Sequence, residues 1–184
     1  VAFCLDRRVT FGLREGIAAL TPALSDADVE VRQMAAFAIG LIGDRSGRDP
    51  LVAALNDPSP LVKGSAAEAL GLIGDAAAAP AVAQMAAQIV ASGALAQLPD
   101  ENADSARDTP AAAYRLALDA LVRLKSYDAL VTAALDGAEP RVHWWPVAYA
   151  LQRLEDPRAV PALMTLLRDP QPYTRAFAAK GLGA

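Results

Sequence analysis

Cysteine is almost missing from this chain. Cys4 is the only one in 184 residues, which excludes an internal disulfide and any cysteine-based metal cluster and leaves a buried or incidental thiol. Histidine is as scarce. His143 stands alone, so metal binding there would need other ligands to converge on it, and no nearby carboxylate spacing suggests that. An excess of positive charge is also lacking: 17 Lys and Arg face 21 Asp and Glu, for a net charge of −4, which argues against a nucleic-acid partner. No glycine-rich phosphate loop and no nucleophile elbow is present, so no catalytic constellation and no cofactor is expected.

Long apolar runs of membrane character are missing too. Ala76 to Leu98 carries no charge, but it is mostly alanine and includes Pro80, Gln84, Gln88, Ser92, Gly93 and Gln97. That is too weakly apolar for lipid and fits a packed helix. No basic-then-apolar leader follows Val1. A cytoplasmic location is the default, with room for a signal upstream of Val1.

What the chain does have is alanine and repetition. Asp57 to Asp75, DPSPLVKGSAAEALGLIGD, aligns without a gap on Asp26 to Asp44, DADVEVRQMAAFAIGLIGD, at a spacing of 31. Such self-similarity fixes the architecture before any motif is weighed. Each unit predicts a short first helix such as Pro50 to Leu55, a turn at Asn56 to Pro60, and a second helix. In that second helix Val62, Ala66, Ala69, Leu70 and Ile73 share one face. Gly74 is the expected left-handed cap, and Asp57 is placed to accept backbone N–H groups nearby. Pro22 sits inside the first short helix and is expected to kink it.

The third unit is longer. Val82, Met85, Ala86, Ile89 and Val90 predict a helix from about Pro80 to Ala91, and an acidic, mobile loop follows at about 92–110 with Asp100, Glu101, Asp104 and Asp108. Ala113, Ala117, Ala120, Leu121 and Leu124 restore the second-helix stripe, with Asp108 falling 51 residues after Asp57. A fourth unit starts near Asp136 with one extra residue in its turn, and a fifth opens at Asp169. Neither end has the polar cap of a terminal repeat. The expectation is a single array over 1–184, all-α, cut from a longer chain.

These residues resemble the HEAT repeats, in particular the short bacterial form of phycocyanobilin-lyase-type proteins. The pattern is Asp, Val-Arg, Ala-Ala, then Ala-Leu-Gly-x-Ile-Gly-Asp. It stands here as Asp26, Val31-Arg32, Ala35-Ala36, Ile39-Gly40 and Ile42-Gly43-Asp44, and again in Asp57 to Asp75. Later units depart from it: Tyr114 replaces the basic residue, and Lys125-Ser126 replaces Gly-Asp. The resemblance implies a right-handed α-solenoid of about four to five helix-turn-helix repeats, with second helices lining a concave, partner-binding surface. The lone histidine excludes the paired His-Glu iron sites of HEAT-repeat deoxyhypusine hydroxylases. WWPVAYALQRLEDPRAVPAL and YTRAFAAKGLG are also similar to repeats found beside cyclophilin-type prolyl isomerase domains, though no isomerase motif occurs here.

Two sets of residues stand out. Arg32, Lys63 and Arg175 each follow an aspartate, Asp26, Asp57 and Asp169, by six residues. They form either a binding row or an Asp–basic ladder between adjacent turns, and the joint recurrence of both partners favours the ladder. The second set is the aromatic cluster His143, Trp144, Trp145 and Tyr149, with Arg141 just before it. Phe37 shares the repeat position of Tyr149, which Glu68, Asp119 and Lys180 fill elsewhere, so that position is expected to face outward. These side chains either anchor a docked peptide, or one tryptophan plugs the gap at the insertion while the other packs between repeats. The function expected is a scaffold binding a protein or peptide, with no nucleic acid or membrane partner. The alternatives are the repeat region of a modular prolyl isomerase and a bilin-lyase-like protein that handles a chromophore.

Overall fold

The fold comes from a computed structural model that describes residues 10–98 and 107–183. Cys4 and the acidic residues Asp100, Glu101 and Asp104 lie outside the described residues. Among the described residues ten α-helices follow one another: α1 Thr10–Leu20, α2 Val29–Ile42, α3 Arg48–Ala54, α4 Pro60–Ile73, α5 Ala79–Ala91, α6 Pro110–Arg123, α7 Tyr127–Ala134, α8 Trp145–Leu154, α9 Val160–Leu166 and α10 Pro172–Leu182. They make five pairs, each a first helix (odd-numbered) followed by a second helix (even-numbered). The second helices pack in sequence order, α2 on α4, α4 on α6, α6 on α8 and α8 on α10. The chain is an all-α repeat solenoid.

The expected stripes build the core between the two layers. In α4, Val62, Ala66, Ala69 and Leu70 are fully enclosed, and Ile73 packs at the edge. Leu51, Leu118, Leu121, Leu130, Leu151 and Leu166 continue the same interior along the array. Each such side chain contributes about 1.5–3 kcal/mol relative to exposure, far more than helix propensity supplies at one position. At Pro22 the structure goes further than a kink: α1 stops at Leu20 and Thr21–Ser25 is a separate 3-10 turn. Proline lacks the N–H that would continue the α-helical ladder.

Helix ends follow the repeat rule even where the sequence departs from it. Gly43 and Gly74 close α2 and α4 with φ of 71° and 72°. Lys125 and Glu155 hold the same left-handed conformation after α6 and α8, at φ 53° and 52°. Asp44, Asp75 and Asp156 then accept the backbone N–H of Ser46, Ala77 and Arg158, starting the next first helix through a 3-10 turn. The longer fourth turn is a small hairpin in which Leu135–Asp136 pairs antiparallel with Glu139–Pro140. In the described part of the insertion, Leu95 is buried and Leu98 packs against the core.

Glycine sets how closely the second helices approach. A Cβ on Gly40 would lie 2.6 Å from both Cα and Cβ of Ala69, and one on Gly71 would lie 2.9 Å from Ala120 Cα. Both contacts are with neighbouring backbone, which cannot swing aside. The last pair leaves partly open what inner pairs bury: Leu167 is 37% exposed, whereas Leu55, at the equivalent position, is 3% exposed.

Gly40→Ala is expected to lower the melting temperature, since overpacking costs about 1–3 kcal/mol and outweighs the gain of up to about 1 kcal/mol in helix propensity. The fall should be about 2–6 °C by calorimetry. A rise would mean that α2 and α4 do not touch at this glycine.

Candidate binding trough on the second helices

The rule that brings α2, α4 and α6 together lapses between α6 and α8. Val122 stands where the earlier units have Gly40 and Gly71, and Tyr114 stands where they have Arg32 and Lys63. Tyr114 is fully buried, its hydroxyl directed at Ala133 O at 3.4 Å. A side chain that carries an inter-repeat charge elsewhere has here become part of the core. Clefts open along this seam.

The conserved geometry of one rung shows what the seam lacks. Arg32 donates from Nε to Asp57 Oδ2 at 2.7 Å and from Nη2 to Oδ1 at 3.2 Å, while its Nη1 donates to the carbonyls of Asp26 and Ala27. The hydrogen bond to Asp57 holds the Arg32 guanidinium charged to higher pH than usual. One side chain thus ties its own turn to the carboxylate of the next. The ladder is not continued by the other two basic residues. Lys63 has no ion pair among the described residues, because Asp108 Oδ1 is taken up by Ser59 Oγ and the Leu61 N–H. Among the described residues Arg175 donates to the carbonyls of its own turn, Asp169 and Pro170.

In the fourth unit the two tasks of Arg32 are divided. Arg141 Nε donates to Leu135 O at 2.7 Å, and His143 Nδ1 lies 2.8 Å from Oδ2 of the buried Asp169. Asp169 also accepts the Gln171 N–H. His143 and Arg141 are therefore engaged within the array. Trp144 is buried, 4% exposed, and packs in the core, with no hydrogen-bond partner at Nε1. Its shape rather than its polarity holds it there.

Trp145, Tyr149 and Phe177 remain half-buried at the surface of the second-helix layer. Trp145 and Tyr149 meet edge-on with ring centroids 6.3 Å apart, and Phe177 of α10 lies 5.7 Å from Trp145 and 5.3 Å from Tyr149. Arg153 sits over the Tyr149 ring at 5.9 Å. Phe37 is far along the same layer, on α2. The equivalent residues Glu68, Asp119 and Lys180 all reach solvent, so the shared position faces outward.

Three clefts on this layer join into a trough. The first, about 370 Å³, is lined by Met34 and Phe37 and by Glu68, Arg115 and Leu116. The second, about 460 Å³, shares Glu68, Arg115 and Leu116 and reaches Trp145 and Tyr149. The third, about 610 Å³, shares Asp119 and Tyr149 and extends to Arg123 and Arg153. Chemically the trough combines apolar walls, aromatic faces and guanidinium groups. Among the described residues no group of three His, Cys, Asp or Glu side chains could hold a metal ion. No described helix is long and apolar enough to cross a membrane.

Sequence reasoning missed Phe177, Leu116, Arg115 and Arg153. Phe177 lies in the fifth unit, outside the position shared by Phe37 and Tyr149. The arginines recur at no fixed place, so repetition gives no signal for them.

By family, residues 17–99 match the HEAT repeats and residues 147–169 match the PBS lyase HEAT-like repeat. No curated protein matches the chain by sequence. Among solved structures, the complex of CpcE and CpcF of phycocyanin lyase from a Nostoc species is 26% identical with a TM-score of 0.57, covering 96% of this chain and 67% of that one. An engineered protein is 20% identical with a TM-score of 0.49, covering 95% of this chain and 83% of that one. Human deoxyhypusine hydroxylase with glycerol is 22% identical with a TM-score of 0.36, covering 96% and 77%. The resemblance to repeats beside prolyl isomerases finds no support among these matches.

Burial raises the Tyr114 phenol above its ordinary range. An unfolded tyrosine ionises near pH 10, so the folded state holds this proton more tightly. The resulting stability is complete below that pH and is lost as pH rises beyond it, by up to about 1.4 kcal/mol per unit. The denaturant midpoint should therefore fall more steeply from about pH 10 to 11 in the native chain than in Tyr114→Phe. Matching profiles would contradict the buried position of this hydroxyl.

Proposed function

The chain is built of HEAT repeats, and from that premise we propose that it is an interaction scaffold whose partner lies in the trough along the second helices. One observation carries this reading: two of the three clefts, about 460 and 610 Å³, lie along the seam between α6 and α8, where the array breaks its own packing rule. Val122 and Tyr114 give up the close approach and the charged rung that join other units, and the surface gained is lined by Trp145, Tyr149 and Phe177. Aromatic residues in a concave surface supply large contact area at a small entropic cost. A stacked array also offers a rigid, extended face, so a bound segment orders itself without the scaffold having to.

The described residues hold no catalytic constellation, and on this reading the chain is not an enzyme. Trp145, Tyr149 and Phe37 are the residues proposed to meet the partner. His143, Arg141 and Trp144 act behind them, fixing the fourth turn and the start of α8. Of the expected rung residues Asp26, Arg32, Asp57, Lys63, Asp169 and Arg175, the Arg32–Asp57 pair joins two units and Asp169 does so through His143, while Arg175 stays within its own turn.

A second reading is favoured by the likeness to the phycocyanin lyase subunits, which spans nearly all of this chain. It is a bilin-lyase-like protein, with a tetrapyrrole in the same trough between aromatic faces and arginines. The two readings part in solution.

The chain immobilised on resin should capture a protein from its native extract, and Trp145→Ala/Tyr149→Ala should reduce recovery of that protein at least about tenfold. Ala53→Arg, on the opposite layer, should leave recovery unchanged, with circular dichroism verifying the fold of each variant. Equal recovery by the double variant would remove the trough from the account. A red-shifted absorption band on mixing with free bilin, lost in the same double variant, would instead establish the chromophore reading.

A further inference from the structure

We propose that the trough takes an extended acidic segment bearing bulky apolar side chains, with Arg115 and Arg153 meeting its carboxylates. The proposal rests on the trough being the docking surface and adds the chemistry of what docks. It follows from which charges along the trough are already satisfied. Asp119, midway along, accepts from Arg123 Nε at 2.8 Å. Asp156, at one end, accepts from Arg158 at 2.9 Å. Glu68 and Glu155 are the lining carboxylates that remain without an ion pair among the described residues.

The cations are the opposite case. Arg107, Arg115, Lys125 and Arg153 line the clefts and pair with no carboxylate among the described residues. Arg115 lines both the Phe37 cleft and the Trp145 cleft, so it stands between the two apolar ends. Arg153 is held over the Tyr149 ring, which orients the guanidinium and leaves its donors free. Arg107, Arg115 and Arg153 are thus guanidinium groups without a carboxylate partner among the described residues, set beside the apolar parts of these clefts. Guanidinium groups are weakly hydrated and bind carboxylates in two-point fashion. A basic segment would meet four unneutralised cations and only two free carboxylates.

The apolar half of the specificity comes from Met34, Leu116 and Trp145. Met34 is 56% exposed on α2, an exposure that a bound aliphatic side chain would remove. An extended strand presents alternate side chains to opposite sides. A segment that alternates acid and bulky apolar residues therefore turns its carboxylates to one side of the trough and its apolar side chains to the other.

The test uses the full 184-residue chain and fluorescein-labelled twelve-residue peptides of alternating Glu and Leu, with Gln-for-Glu and Lys-for-Glu counterparts, read by anisotropy at one ionic strength. The Glu peptide should bind at least about tenfold more tightly than either counterpart. Arg115→Gln/Arg153→Gln should erase that difference, and Arg115→Glu/Arg153→Glu should turn the preference towards the Lys peptide. Tyr149→Ala should weaken binding of the Glu peptide as well. Equal binding of the Gln peptide that still depends on Tyr149 would overturn the acidic preference and leave the docking trough standing. No peptide binding, with protein capture still dependent on Trp145 and Tyr149, would do the same. Capture and peptide binding that both ignore Trp145 and Tyr149 would overturn the trough itself.

Discussion

The second helices can stack only as closely as their smallest side chains allow. Everything else in the array adjusts to that limit. Where Gly40 faces Ala69 and Gly71 faces Ala120, backbones touch, and nothing larger than glycine fits against those alanines. Dispersion is short-ranged, so such contact gains many small attractions that a gap of about 1 Å would largely forfeit. The cost is tolerance: an added methyl at these positions has nowhere to go. Close approach also brings the turns into register, which lets Arg32 reach Asp57 across a repeat boundary.

A scaffold made entirely of such contacts would have little surface to offer. The third and fourth units relax them. Val122 takes the place of the glycine, buried Tyr114 takes the place of the basic residue, and the fourth turn divides the work of one arginine between Arg141 and His143. Trp144 fills the space behind α8, and Trp145 and Tyr149 line the space in front of it. The gap is thus not a defect left open. It is walled by aromatics on one side and by Leu116 and Arg115 on the other. Stability and binding are kept in different units of one chain: the first two pack by rule, and the later ones carry the exceptions.

The fold was legible in the sequence because a repeat states its own constraints twice. Asp57–Asp75 and Asp26–Asp44 together gave the period, the buried stripe and the left-handed caps. The caps held even at Lys125 and Glu155, where the glycine is gone but the turn geometry persists. The site was legible in part. Tyr149 and Phe37 were found because their shared position takes charge in other units and so must face water. Which tryptophan is buried was not legible, since both alternatives fit the same spacing; Trp144 precedes α8 and points inward, and Trp145 begins it. His143 read as part of the aromatic docking cluster because the extra residue in the fourth turn hid its pairing with Asp169. Lys63 and Arg175 read as rungs because their aspartates recur, but among the described residues neither pairs with a carboxylate of the next unit.

The central claim is that the partner binds at the seam between α6 and α8, where the packing rule lapses. Hydrogen exchange of the chain with its captured partner bound, compared with the chain alone, tests this most directly. The account predicts slowed exchange concentrated in residues 110–123 and 145–154, with the first-helix layer unchanged. Protection confined to α3, α5 or α9, with α6 and α8 exchanging as before, would contradict it.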